Sequence, residues 1–363
     1  YWRGWQALFL AVPCIFLLGY LARYSVYPDA VIAREGFTGW ERLLTEARLL
    51  WLYLLKALLG LPGQLGIYQQ PPVLSRSLFE PLTMLASFLW LGLIVFSVAW
   101  RRRYPLATFA VLWYLAGHLL ESTVLPLELY FEHRNYLAIA GPVFAVVCAA
   151  AAVRPDLRKI AMLVAGIVLC ANAFLLYSFA SLWGDPSAAS RYWASKYPNS
   201  VRAVTTLASY QLDEEGPLRT LQTLDRFVID HPRHAYLRIQ ELNLLCQIAA
   251  EQDHGQVVER LYSRLPEVAF TYTAGTMLSE LFSTTVRTGC SSVNPDTVKS
   301  LADRLRSNPL YAKVSQYGQF HHKLLAGIAR HQGDYVATLD NLRQAIAFQR
   351  SSELNMMMVT ALG

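Results

Sequence analysis

Apolar residues gather in long runs in the first half of the chain, whereas in the second half they recur at helical spacing between polar positions. A spanning helix needs about 20 mostly apolar residues. Five segments are predicted to span on that basis: 4–22, 82–100, 104–120, 136–153 and 160–182. A sixth, 44–61, carries Glu46, Arg48 and Lys56, and charge near the bilayer centre is costly. Arg48 and Lys56 are eight residues apart, which places them near one face of a helix. Segment 44–61 therefore reads as an interfacial or re-entrant amphipathic helix.

Lys and Arg in short loops mark the cytoplasmic side. Arg101-Arg102-Arg103 joins the second and third spans, and Arg154, Arg158 and Lys159 join the fourth and fifth. Both loops are expected in the cytoplasm. Residues 23–81, the 121–135 loop and everything after 183 then lie outside. The assignments agree only if 44–61 does not cross. The expected location is a bacterial inner membrane, with residues 1–182 as the transmembrane domain and 183–363 in the periplasm.

The second half is a repeat. Pro198, Pro232 and Pro266 are spaced at intervals of 34 residues, in the similar contexts SKYPNSVRAVTTLA, IDHPRHAYLRIQEL and SRLPEVAFTYTAGT. Each proline is expected to close a helical pair. This is the period of the tetratricopeptide repeat (TPR). The last unit is the plainest: small residues between His322 and Ala329, a Gly333-Asp334-Tyr335 turn, then an amphipathic helix through Ala345 and Ile346. The match fails between 267 and 308, where Pro309 follows Pro266 by 43 residues, so a degenerate repeat or an insertion is expected there. The fold class is thus all-α: a polytopic transmembrane bundle followed by a TPR α-solenoid. Such arrays hold a peptide or dock a protein on the concave face.

Charge sharpens the division. Residues 1–182 hold 14 Lys/Arg and 9 Asp/Glu, and residues 183–363 hold 18 and 17. Charged residues are 16% of the chain, against roughly 25% in soluble proteins. The net +6 is spread without a basic face, which excludes nucleic acid as a partner. The chain opens at Tyr1-Trp2-Arg3 without methionine and is read as a fragment whose N-terminal part precedes it, with no signal peptide to find. Cys246 and Cys290 could bond in an oxidising compartment; two separately buried thiols are the expectation, because free cysteine is commonly buried. No Cys/His cluster has zinc spacing, and no P-loop, GxSxG, HExxH or GxGxxG motif occurs.

Candidate chemistry lies in the external loop Glu121–Tyr136, ESTVLPLELYFEHRNY, which sets three carboxylates, an imidazole, a guanidinium and two phenols among Leu, Val and Phe. Glu128 and Glu132 stand at i,i+4, so a helix would put both on one face. Arg134 offers a rigid fork suited to phosphate or carboxylate, and His133 exchanges a proton near neutral pH. Arg48 and Lys56 add positive charge at the same depth, so the set suits a lipid phosphate headgroup. The plainer alternative is a self-satisfied Glu–Arg network anchoring the loop. His118 reads as a helix-packing residue, and no metal site is expected at His321-His322.

Spans followed by TPRs, the stretches Glu46–Pro62 and Ser75–Pro81, and the loop Glu121–Leu137 together resemble bacterial relatives of the transmembrane-and-TPR (TMTC-type) O-mannosyltransferases. The resemblance implies the C-terminal part of a GT-C-type membrane domain. The implied donor is a polyprenyl-phosphate sugar lipid. The implied acceptor is a protein or peptide hydroxyl presented by the TPR face on the periplasmic side. The family's catalytic acid lies in the first external loop, near the start of the full chain, so no residue here is named as the base and the fragment alone is expected to be inactive. By resemblance Arg134 would hold the lipid-phosphate oxygens, with Arg48 and Lys56 on the same phosphate. His133 would orient groups or shuttle a proton, and Glu128 and Glu132 would position Arg134 or sugar hydroxyls. No cofactor is fixed by the resemblance, and a divalent cation remains an open option. His-Arg-Asn-Tyr stands where the animal enzymes have Arg-x-Leu-Tyr, which leaves sugar and acceptor open. The competing reading is a non-catalytic, membrane-anchored TPR scaffold for envelope or pilus assembly. An O-oligosaccharide ligase would need a larger external loop between late spans than this chain has.

Overall fold

The computed structural model describes residues 2–59, 73–348, 354 and 356–358. It is all-helical, with no strand among the described residues, and divides into two units: 1–28 with 37–193, and 29–36 with 194–363. Residues 60–62, which close the predicted interfacial segment and its resemblance stretch, lie outside the described residues.

The first unit contains α1 (Trp2–Tyr24), α3 (Gly39–Leu59), α4 (Pro81–Ala99), α5 (Pro105–His118), α6 (Asn135–Ala138), α7 (Ala140–Ala151), α8 (Arg158–Trp183) and most of α9 (Pro186–Lys196). Two of the five predicted spans, α4 and α8, are long and apolar enough to cross a membrane. The predicted span 136–153 becomes a third only if α6, with the short turn before it, and α7 are taken together across a 52° bend. The bend has a local cause. Pro142 lacks the N–H that would bond back to Ala138 in a continuous helix. The predicted span 104–120 is shorter than expected, α5 having 14 residues. In α1 the described apolar stretch is Ala11–Tyr24. α3 is not among the candidate spans, in keeping with its charges.

Local signals set these helices. α3 opens on a capping box: the Thr38 hydroxyl accepts from the Glu41 N–H, and Glu41 Oε2 accepts from the Thr38 N–H and hydroxyl. α4 and α5 each begin with proline, where the missing N–H costs nothing. The core of this unit joins Trp90, Tyr114 and Ala138, with Trp51 of α3 stacked on Trp90 at 4.2 Å. Glycines allow close packing here: a Cβ on Gly117 would fall 2.8 Å from Ala138, and one on Gly141 would fall 2.8 Å from the Trp113 side chain.

The second unit holds α2 (Asp29–Glu35), α10 (Val201–Glu214), α11 (Pro217–Asp230), α12 (Arg238–Ile248), α13 (Gly255–Arg264), α14 (Thr273–Thr288), α15 (Pro295–Arg306), α16 (Pro309–Ala312), α17 (Ser315–His331) and α18 (Tyr335–Phe348). They form consecutive helical pairs: α10 with α11, α12 with α13, α14 with α15, and α17 with α18. Pro198, Pro232 and Pro266 fall in the segments between pairs, as their spacing predicts. The stretch expected to hold a degenerate repeat or insertion is itself a pair, α14–α15. Its extra length goes into the 16-residue α14 and the added turn of α16. Positive φ at Gly216, Gly289 and Gly333 ends α10, α14 and α17. One core runs from Val204 to Ile328. α2 packs on α16, with Arg34 to the Tyr272 hydroxyl at 3.5 Å and Asp29 to Lys313 at 3.5 Å.

Cys246 and Cys290 form a disulfide, Cα atoms 5.3 Å apart, which corrects the expectation of two separate buried thiols. The packing of α12 on α14 brings together positions 44 residues apart, a proximity with no local sequence signal.

Candidate functional site

The loop of residues 119–134 folds over α3, and Arg42 holds it there. Arg42 is fully buried and donates to the carbonyls of Glu121 (2.7 Å), Thr123 (3.1 Å), Leu127 and Glu128 (3.4 Å). This guanidinium supplies the hydrogen bonds a helix would otherwise give those carbonyls. Accordingly 119–131 is turns and bends, and a 3₁₀ turn begins only at Glu132. The predicted helical face shared by Glu128 and Glu132 is therefore absent: Glu128 is exposed, while Glu132 is half-buried. Pro126 also disfavours helix at the residue before it.

One turn along α3, Glu46 is 1% exposed. Its Oε1 lies 3.0 Å from Arg42 Nη2 and 3.7 Å from Arg134 Nη1, and neither carboxylate oxygen accepts a well-aligned hydrogen bond. Burial pushes the Glu46 carboxyl up to about 7, against the opposing pull of Arg42, Arg134 and the Ser122 hydroxyl. Arg134 also reaches Glu121 Oε2 at 3.7 Å and the Leu129 carbonyl at 3.5 Å, and it is itself buried. Its fork thus faces the interior of the unit, as the self-satisfied network of the plainer sequence reading requires.

Lys56, about four turns from Arg42, donates to the Tyr130 hydroxyl at 2.9 Å, sits 3.6 Å from Glu132 and lies over the Tyr130 ring. Burial pushes its ammonium below the ordinary range, and Glu132 pulls it back. Arg48 takes a different partner, the Ser75 hydroxyl at 2.9 Å, within the set Thr45–Ser75–Thr83. Lys56 and Glu132 are thus brought together, Arg134 joins Glu46 and Glu121, and Arg48 binds elsewhere. His133 is exposed, its ring 4.9 Å from Phe131. His118 is buried, with Nδ1 3.1 Å from the Ser122 hydroxyl and Nε2 3.3 Å from Asn135 Oδ1, as a packing residue should be. Behind it Tyr53 stacks on both His118 and Tyr130 and accepts from the Phe131 N–H at 2.8 Å.

Arg42 is the residue that sequence reasoning missed. Its signal was the i,i+4 spacing to Glu46 on an otherwise apolar face. Among the described residues no cluster of three or more His, Cys, Asp or Glu is arranged to hold a metal ion.

Fold and site together define a class: an all-helical protein with candidate membrane-crossing helices, a unit of stacked helical pairs, and a charged corner buried where a loop closes over an amphipathic helix. No protein-family model and no curated protein matches the chain.

Proposed function

We propose that the full-length protein is a membrane glycosyltransferase of the GT-C type. It moves a sugar from a polyprenyl-phosphate carrier to a polypeptide hydroxyl on the periplasmic side, and the TPR-like pairs hold the acceptor. One observation carries the reading. Three stretches distant in sequence, each part of the resemblance, pack together through α3: the loop meets it through Arg134 with Glu46 and through Tyr130 and Glu132 with Lys56, and the 75–81 stretch meets it separately through Ser75 with Arg48.

In the reaction the acceptor oxygen bonds the anomeric carbon and the bond from that carbon to the phosphate oxygen breaks. The hydroxyl proton goes to a general base, which by the resemblance belongs to the family's first external loop, and the lipid phosphate leaves carrying the negative charge. Fixed cations in a partly dry site stabilise that charge better than water-facing ones. Arg42 and Arg134 act as positioning residues, setting the loop. The exposed His133 and the half-buried Arg48 are the groups that reach the headgroup, and Lys56, buried against Tyr130 and Glu132, adds positive charge behind them.

Two features support the periplasmic placement of the pairs. A disulfide persists in oxidising compartments, and the second unit carries Cys246–Cys290. Residues 29–36, which precede α3, also belong to that unit, as expected if both stretches are external.

The test is transfer from a radiolabelled polyprenyl-phosphate sugar to an acceptor protein by the full-length enzyme in vesicles. His133→Ala and Lys56→Ala are expected to lower transfer by about 10–100-fold, His133→Ala without change in thermal stability. Unchanged transfer in both variants overturns the assigned roles. The scaffold reading is favoured by the internal pairing of Arg42, Lys56 and Arg134 with carboxylates; it predicts no transfer by the wild type from any lipid-phosphate sugar.

A further inference from the structure

α8 stands apart in the first unit. None of its side chains is buried, and between Ile160 and Tyr177 it is apolar on every side. The exception is Asn172, the one strongly polar side chain between Ile160 and Tyr177. A helix of this length measures about 39 Å at 1.5 Å per residue, longer than the roughly 30 Å hydrocarbon core. Asn172, near its middle, therefore falls close to the bilayer midplane. Its short carboxamide cannot reach either headgroup layer, as a long lysine or arginine does.

Asn172 Nδ2 donates to the Val168 carbonyl of its own helix at 2.8 Å. The second N–H and the Oδ1 have no partner among the described residues. At that depth no water serves them, and a polar group unpaired in hydrocarbon is strongly disfavoured. In α4, α5 and α7 the described polar side chains offer little. In α4, Thr83 and Ser87 are bonded within the unit, and Trp90 Nε1 donates to the Ala47 carbonyl. In α5, the Thr108 hydroxyl is bonded to the Ser97 carbonyl. The one polarisable side chain of α7 is Cys148.

We propose that α8 pairs with α8 of a second copy of this chain, the two Asn172 carboxamides hydrogen-bonding across the seam. A carboxamide is its own complement, since each supplies one donor and one acceptor to the other. Two copies inserted in the same orientation are related by an axis along the membrane normal, which sets identical residues at identical depth. That symmetry meets the need of a lone midplane asparagine, whereas a different partner would need a polar side chain at the same level. The face around Asn172 is suited to close approach, because Ala161, Ala165 and Val168 lie on the same side of the helix. The inference rests on α8 crossing the membrane and is independent of the transferase reading.

The experiment uses the full-length protein in native membranes, with Cys14, Cys148 and Cys170 changed to serine and the Cys246–Cys290 disulfide kept. Single cysteines are introduced at the proposed seam (Ala161→Cys, Ala165→Cys, Val168→Cys) and on the opposite face (Leu163→Cys, Ile167→Cys, Phe174→Cys), then oxidised. Dimers of the chain are expected from the seam positions alone. Adding Asn172→Leu should lower the dimer yield about three- to ten-fold, and Asn172→Gln should retain it. The proposal is overturned by cross-links on all faces alike, by none at the seam, by a product with a different protein, or by a seam dimer indifferent to Asn172→Leu.

Discussion

Arg42 and Glu46 are the buried charges on which the loop depends. Removing the guanidinium would orphan the carbonyls of Glu121, Thr123 and Leu127 and leave Glu46 with the more distant Arg134. Arg42→Ala is therefore expected to destabilise the protein by about 3–5 kcal/mol, read as a fall in melting temperature in detergent. An unchanged melting temperature would refute the stapling role. Glu46 gives a pH prediction with a definite sign. Its carboxyl is raised from the ordinary 4.5 to about 7, so folding favours the protonated form. The stabilising contribution is complete below 4.5 and is lost as pH rises through 7. Melting temperature should fall more steeply between about pH 5 and pH 8 in the wild type than in Glu46→Gln. Equal slopes would show that Glu46 does not titrate there.

At the scale of elements, α3 and the α12–α14 contact carry the structure's two staples. α3 was legible as an amphipathic helix because Arg48 and Lys56, eight residues apart, break the apolar run on one face; the Thr38–Glu41 capping box that starts it emerged only in the structure. Its partner loop was legible as charged but not as non-helical. The i,i+4 spacing of Glu128 and Glu132 suggested a helix, and a distant guanidinium took the carbonyls instead. The disulfide was likewise visible only as two cysteines. Closing a loop of this size should contribute about 2–4 kcal/mol. Cys246→Ser/Cys290→Ser should lower the urea midpoint of the protein accordingly, and reductant should lower that of the wild type but not of the variant. Insensitivity of the wild type to reductant would argue that the cysteines are unpaired.

At the scale of the molecule, the charged corner and the helical pairs belong to separate units, and the proposed function needs both on the same side of the membrane. A reporter fused after Ser190 should be active in the periplasm. Thiol labelling of a cysteine placed at Glu128, which is exposed, should proceed from the periplasmic side. Labelling of that position from the cytosol alone would overturn the arrangement and the transferase reading with it.

The sequence by itself determined the helical class, the division into an apolar and an ordinarily charged half, and the approximate extent of the long apolar helices. These follow from hydrophobic period, proline and glycine placement and local caps, all of which act within a few residues. It also marked 121–136 as a segment where charged and aromatic side chains are dense. Tertiary structure alone decided where each charge went. Arg134 turned inward to Glu46, Arg48 found Ser75, Lys56 found Tyr130 and Glu132, and Cys246 met Cys290. Partner choice for a buried charge depends on which oxygens the packed chain brings within about 4 Å, and residue spacing along one strand of sequence carries no record of that.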